Sequence, residues 1–161
     1  VLAFLGPGPL SAPNAGLRMG GIVMPTPLTF QEPTPSQILR SYLESVAYSI
    51  RANLDSISEV TGKRASSFCI GGSMSKSDVL AAALANVIEI PVYRARDPQV
   101  SAAGAAAAAW LSAGEASSLE DALREQKPGF DEFLPEPLQT AGYLDHYHRW
   151  LETFRCLTPR E

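Results

Sequence analysis

The sequence predicts an α/β domain built on a short mixed sheet with flanking helices. Between Ala65 and Tyr93 an apolar strand (Phe68, Cys69, Ile70), a glycine loop, a helix with one apolar face and a second short strand (Pro91, Val92, Tyr93) succeed one another. That order is a βαβ unit, whose crossover is right-handed. On either side lie stretches with apolar residues three and four positions apart, the mark of amphipathic helices. With 161 residues, 45% of them apolar and 19% charged, the chain is long enough for one domain with a sizeable core.

In order, Val1 to Leu5 reads as an edge strand ended by Gly6-Pro7-Gly8-Pro9. The residues up to Gly21, rich in Pro, Gly, Ser and Asn, predict a long loop, and Gly20 to Met24 a short strand closed by Pro25 and Pro27. Thr34-Pro35-Ser36-Gln37 is a helix start: a capping threonine, proline at the first helical position, and glutamine three residues after the cap. Ile38, Tyr42, Leu43, Val46, Ile50, Leu54 and Ile57 then mark the apolar face of one long helix ending near Thr61-Gly62. Glu44 lies between apolar neighbours on that helix and is expected to bond to a loop. Residues 1–33 form a strand-and-loop region and 34–156 the helical and βαβ core of a single domain.

Ala65 to Ile70 supplies the central strand, with Cys69 expected to be a buried thiol. After the loop, a helix starting near Ser75 or Ser77 carries Val79, Leu80, Ala83, Leu84 and Val87 on its apolar face, with Asp78 in its first turn. Asp97-Pro98 is expected to cap an Ala-rich helix, Val100 to Leu111; Gly104 in its interior suggests that something packs closely against it. Ser117-Ser118-Leu119-Glu120 opens a short helix to about Gln126, and Lys127 to Pro137 reads as a loop. A closing helix, Leu138 to Phe154, carries Tyr143, Tyr147 and Trp150 as a packing stripe. His146 and His148 stand two residues apart and so on different faces, which does not suit a metal pair.

A net charge of −4 and a pI near 5.2 argue against a broad nucleic-acid footprint. No stretch reaches the roughly 18 to 20 apolar residues of a membrane span. Cys69 and Cys156 have no CxxC partner, which fits reduced thiols in a reducing compartment. Residue 1 is Val, and the chain opens in an apolar stretch without a charged leader, so it is expected to be a piece of a longer chain.

The chemistry concentrates in Gly71-Gly72-Ser73-Met74-Ser75-Lys76-Ser77. Glycines let a ligand approach the backbone, and the unpaired N–H groups of a helix's first turn favour anions, so the loop is a candidate for nucleotide or phosphate binding; the competing reading is turn geometry alone. Lys76 points either to a phosphate or to solvent. Neither G-x-x-x-x-G-K-[ST] nor the dinucleotide G-x-G-x-x-G occurs.

Beyond the loop, the stretch from Ser77 to Trp110 resembles the carboxy-terminal domain of the FGGY carbohydrate kinases. Ala85-Asn86-Val87 and Pro91-Val92 fall on the family's A-D-V-x-G-x-P-V pattern, Ala102 to Ala106 on its A-x-G-A-A helix, and Arg40 to Arg51 on its R-A-x-L-E-G-V-A-F helix. Asn86 stands at the usual aspartate, Glu89 at the usual glycine, Ser45 at the glycine of the helix motif, and Ser73 and Met74 where a third glycine is frequent. The resemblance implies the later part of a ribonuclease H-like, actin-like ATPase domain in a cytoplasmic kinase that uses ATP and Mg2+ to phosphorylate a sugar or polyol hydroxyl. It implies nucleotide contacts at Gly71, Gly72, Ser73, Lys76 and Ser77, a Mg2+ ion held by the phosphates and the remainder of the enzyme, and a sugar held by another domain. No D-x-G-T phosphate hairpin is present, so no catalytic and no metal-ligating residue is expected here, and the segment alone is expected to be inactive. Two other readings stay open: a non-catalytic regulatory or interaction module, and a generic nucleotide-binding α/β domain. Pairing of the whole protein into a homodimer also stays open.

Overall fold

In the computed structural model, which describes residues 1–4, 20–24, 32–125 and 129–157, the βαβ unit forms as the sequence predicts. Strand β3 (Phe68–Ile70) runs parallel to β4 (Val92–Ala95), with Phe68 opposite Val92 and Ile70 opposite Arg94, and helix α2 (Asp78–Ile88) makes the crossover. The expectations for residues 5–19, 25–31 and 126–128 lie outside the described residues.

Helix α1 (Pro35–Thr61) begins at a complete capping box: the Gln37 N–H donates to Thr34 Oγ1 at 3.3 Å, and the Thr34 N–H donates to Gln37 Oε1 at 2.9 Å. It ends at Gly62 in the left-handed region (φ 67°), as the sequence predicts. Its buried face agrees with the expected stripe only in part: Ile50 and Leu54 pack half-buried against the core, but the fully buried residues are Ser41, Ser45, Ala47, Tyr48, Ser49 and Ala52, and Ile57 is exposed. Small residues win here because α1 packs closely against α2, and each serine hydroxyl donates to a carbonyl of its own helix, Ser41 to Ile38, Ser45 to Tyr42 and Ser49 to Ser45. Glu44 is largely covered, and its partner among the described residues is on its own helix. It accepts from Arg40 Nε one turn earlier at 2.7 Å, and Arg40 reaches on to the Tyr143 hydroxyl at 3.2 Å.

Helix α2 is apolar nearly all round, with Leu80, Ala81 and every residue from Ala83 to Ile88 buried; Val79 in its first turn is exposed. The sheet covers one side of it, α1 another, and α5 (Pro137–Leu157) a third. Asn86, 1% exposed, ties α2 to the start of α5: its Oδ1 accepts from the Glu136 N–H at 2.7 Å and from Thr140 Oγ1 at 3.3 Å, while its Nδ2 donates to the Ala82 carbonyl. The α2 helix closes on Glu89, a non-glycine residue at φ 61°, whose carboxylate accepts from Arg51 of α1 at 2.8 Å.

Residues 129–137 hold a strand where a loop is expected. Strand β5 (Phe130–Phe133) runs antiparallel to β4, Val92 opposite Phe133 and Arg94 opposite Asp131, giving a mixed sheet in the order β3-β4-β5. Phe68, Ile70, Val92, Arg94, Asp131 and Phe133 share one face. The opposite face carries Cys69, Tyr93 and Glu132, and Cys69 is exposed there rather than buried, because no helix covers that side among the described residues.

A small second sheet pairs β1 (Leu2–Ala3) with β2 (Ile22–Val23) antiparallel. Trp150 of α5, 2% exposed, donates from Nε1 to the Ala3 carbonyl at 2.9 Å and stacks on Phe4 and Phe154, while Tyr48 and Tyr147 close the aromatic cluster. The predicted packing stripe of Tyr143, Tyr147 and Trp150 is therefore buried.

Replacing Asn86 by Leu keeps the volume but leaves the Glu136 N–H without its buried acceptor. We expect a loss of about 1–3 kcal/mol in unfolding free energy by urea titration. Asn86→Leu unfolding at the wild-type midpoint would show that the bond contributes nothing.

Candidate functional site

Ligands of open α/β sheets gather outside the carboxyl ends of the parallel strands. At that end of this sheet the glycine loop follows β3, the segment Arg96–Gln99 follows β4, and Gly129 leads into β5. The loop begins with Gly71, where an added Cβ would come within 2.7 Å of Val100 Cγ1. Glycine at this position lets α3 (Val100–Ala113) start directly against the loop.

Gly72 comes next, in the left-handed range (φ 90°), a conformation that side chains rarely adopt, and a Cβ there would meet nothing within 4 Å. The space above the loop is thus open. One turn of 3₁₀ helix (Ser73–Lys76) intervenes before α2, so that the chain turns in two steps. Ser75 is buried, its N–H and its hydroxyl both donating to the Gly72 carbonyl at 3.2 and 2.7 Å. Ser77 caps α2, its Oγ accepting from the Leu80 N–H at 3.2 Å, which places the helix start at the later of the two expected positions. Asp78 sits in the first turn, as expected, where its charge complements the helix dipole. Ser73 and Lys76 are exposed.

Behind the loop lies a charged cluster that the sequence does not announce. Arg94 of β4, its side chain only 17% exposed, is ion-paired to Asp78 and reaches Asp131 of β5 at 3.0 Å; its Nη1 lies 3.5 Å from the Ser75 carbonyl. Its guanidinium stands 4.9 Å over the Phe133 ring. Arg96 bonds the other Asp131 oxygen at 2.8 Å. Hydrogen bonds from Arg96 and then Arg94 hold the Asp131 carboxyl below the usual aspartate range, and bonding to Asp78 and then Asp131 raises Arg94. Ser75, Lys76, Asp78, Arg94, Arg96 and Asp131 line a cleft of about 280 Å³ beside the loop. The two arginines and two aspartates balance, which leaves Lys76 as the uncompensated cation among the described residues of this cleft. The missing signal is cross-strand: Arg94 and Asp131 are diagnostic only once β5 is known to pair with β4.

Helix α3 carries two corrections. Its cap is Gln99, whose side chain makes no capping bond; Asp97 instead accepts from the Gln99 N–H at 2.8 Å just ahead of the helix. Nothing among the described residues packs on Gly104, and only Ala107 of α3 is buried, while Trp110 and Leu111 are exposed. Helix α4 (Leu119–Glu125) packs beside α3 and starts at Ser118, whose hydroxyl accepts from the Asp121 N–H at 3.1 Å.

The site is thus a glycine loop with open space above it, between the starts of two helices and beside a lysine without an ion pair among the described residues. It offers backbone donors and clearance to an extended, partly anionic ligand. Its two carboxylates, Asp78 and Asp131, are each ion-paired to arginine. Among the described residues no group of three His, Cys, Asp or Glu side chains is placed to hold a metal ion.

Residues 8–113 match the FGGY family of carbohydrate kinases, C-terminal domain. Over 153 residues the chain is 33% identical to a glycerol kinase of Pediococcus pentosaceus, covering 94% of this chain and 29% of that protein. Among solved structures, the fold resembles the Plasmodium falciparum glycerol kinase with ADP (TM-score 0.67, 19% identity, 94% of this chain and 30% of that one). It resembles equally the gluconate kinase from Lactobacillus acidophilus (TM-score 0.68, 19% identity, 87% and 27%). The chain therefore spans less than a third of the length of these proteins.

Two outcomes are expected from this geometry. Gly71→Ala should cost about 1–3 kcal/mol by overpacking against Val100, and Val100→Ala in the same chain should recover most of it; additive losses in urea titrations would show that the two do not meet. Asp131 has a lowered folded-state pKa, so its stabilising share is present above the ordinary aspartate value near 3.8 and fades as pH falls through the folded value. Asp131→Asn should thus melt lower at neutral pH and converge on the wild type in acid; parallel melting curves across that range would contradict the pairing.

Proposed function

Since the chain belongs to the FGGY family of carbohydrate kinases, to its C-terminal domain, we propose that it forms the nucleotide side of an ATP-dependent kinase that phosphorylates a hydroxyl of a polyol or sugar. The observation that carries this reading is the open space over Gly72 at the carboxyl end of β3, in a backbone conformation that favours glycine. A side chain there would fill the clearance that a base or ribose needs. Gly71, Gly72 and Ser73 would hold the adenosine part of ATP, and Lys76 and the N-terminal turn at Ser77 would face its phosphates. Lys76 suits that role because its charge is not spent on an ion pair among the described residues.

The bound nucleotide supplies the phosphoryl group. This chain's residues position it and add positive charge, while the carboxylate that takes the hydroxyl proton and the phosphate hairpin belong to a further part of the kinase. In this reading Mg2+ is held by the phosphates and that further part, the segment alone is inactive, and the acceptor is bound elsewhere. Glycerol is the first acceptor to try, because the Pediococcus pentosaceus relative is a glycerol kinase. The cytoplasm, where ATP is made available, is the proposed compartment. No described helix is long and apolar enough to cross a membrane.

The test is calorimetric titration of the chain with ADP and with ATP plus Mg2+, alongside a thermal melt. A ligand at a hundred times its dissociation constant should add about 2.7 kcal/mol of stability. Gly72→Val should abolish binding while retaining helix content, with a loss of about 1–3 kcal/mol from a backbone conformation (φ 90°, ψ −177°) that is essentially glycine's own. Unchanged affinity in a folded Gly72→Val chain would remove the loop from the nucleotide site.

A further inference from the structure

The glycine loop has little attachment of its own to the sheet beside it. Among the described residues, the hydrogen bonds from Gly71 to Ser77 stay within the loop and the first turn of α2, apart from the bond that the Ser75 carbonyl accepts from Arg94. That arginine is opposite Ile70, the residue directly before the loop, so its side chain rises beside the point at which the chain leaves the strand. It contacts three separate elements at once: the 3₁₀ turn through Ser75, the start of α2 through Asp78, and β5 through Asp131. Phe133 lies under the guanidinium plane and Arg96 fixes the far side of Asp131, so the fork is held from below and behind.

We propose that Arg94 is the positioning residue of the nucleotide loop, clamping the turn and the α2 start to β4 and β5 so that the open space over Gly72 keeps its shape. The inference rests on the loop being the nucleotide site. Its role is geometric: Asp78 and Asp131 cancel the positive charge of Arg94 and Arg96, so the clamp adds no net attraction for an anion, and Arg94 is not itself placed in contact with the ligand. A lysine carries the same charge but lacks the planar fork that serves two carboxylates and a carbonyl together. Shape rather than charge therefore decides the outcome of substitution.

The test uses the complete kinase chain, with ATP and the acceptor varied separately and ADP affinity measured by calorimetry. Arg94→Ala and Arg94→Lys should raise KM for ATP and weaken ADP binding by about tenfold to a hundredfold, the size expected of a misplaced binding group, with kcat and KM for the acceptor unchanged. A residue that served folding alone would lower the active fraction and Tm without moving KM for ATP. Asp78, 78% exposed, gives a second route should Arg94 variants fail to fold. Asp78→Asn should reproduce the rise in KM for ATP in part, and Asp78→Asn combined with Arg94→Lys should be no worse than Arg94→Lys alone. Folded Arg94 and Asp78 variants with the wild-type KM for ATP would overturn the clamp while leaving the nucleotide site standing. A wild-type chain that turns over but shows no change on Gly72→Val would overturn the site itself, and the clamp with it.

Discussion

Helix α2 must be covered on nearly every side, and the rest of the structure is arranged to do so. With Leu80, Ala81 and Ala83 to Ile88 all withdrawn from water, each large apolar side chain contributes about 1.5–3 kcal/mol, so the helix is stable only inside. The sheet takes one side through Phe68, Val92 and Phe133, α1 brings its serines and alanines close to another, and α5 closes the third with its aromatic stripe. At its start Asp78 and Val79 are exposed. The exposed start of α2 is the end that the glycine loop leads into. Burial fixes the axis of the helix, and the axis aims the loop.

Outside the loop, three residues at which the resemblance implies a departure from the family pattern obey the same packing logic. Asn86, where aspartate is usual, sits in the wall between α2 and α5 and needs both a donor and acceptors; the amide supplies them without placing a charge there. Glu89, where glycine is usual, accepts a left-handed backbone and gains Arg51 as a partner. Ser45, again at a glycine position, is small enough for α1 to stay close to α2 and turns its hydroxyl onto its own helix. None of these changes touches the loop, and all three preserve the route by which α2 is enclosed.

The βαβ unit, the capped long helix and the tyrosine stripe are legible in the sequence because local rules govern them: a capping box, a left-handed glycine, a three-four periodicity. Legibility fails where a distant partner decides. The stripe of Ile38, Leu43 and Ile57 has the spacing of a buried face, yet serines that satisfy their own hydroxyls allow α1 a closer approach than leucines do, and no hydropathy pattern reports that. Strand β5 is hidden because Asp131 breaks its apolar alternation, and Asp131 belongs on the inner face only because Arg94 and Arg96 await it. Cys69 has apolar neighbours in sequence, but its side chain points to the uncovered face of the sheet. Glycine spacing is enough to find the loop; the charged cluster behind it needs the pairing of two strands.

The bond between Trp150 and the carbonyl of Ala3 spans 147 positions of sequence. A ribosome delivers these partners at opposite ends of its work on this stretch, so β1 and α1 emerge long before the tryptophan that roofs them. Until α5 appears, Phe4 and Tyr48 have no aromatic lid, and the nascent segment carries sticky surface through most of its synthesis.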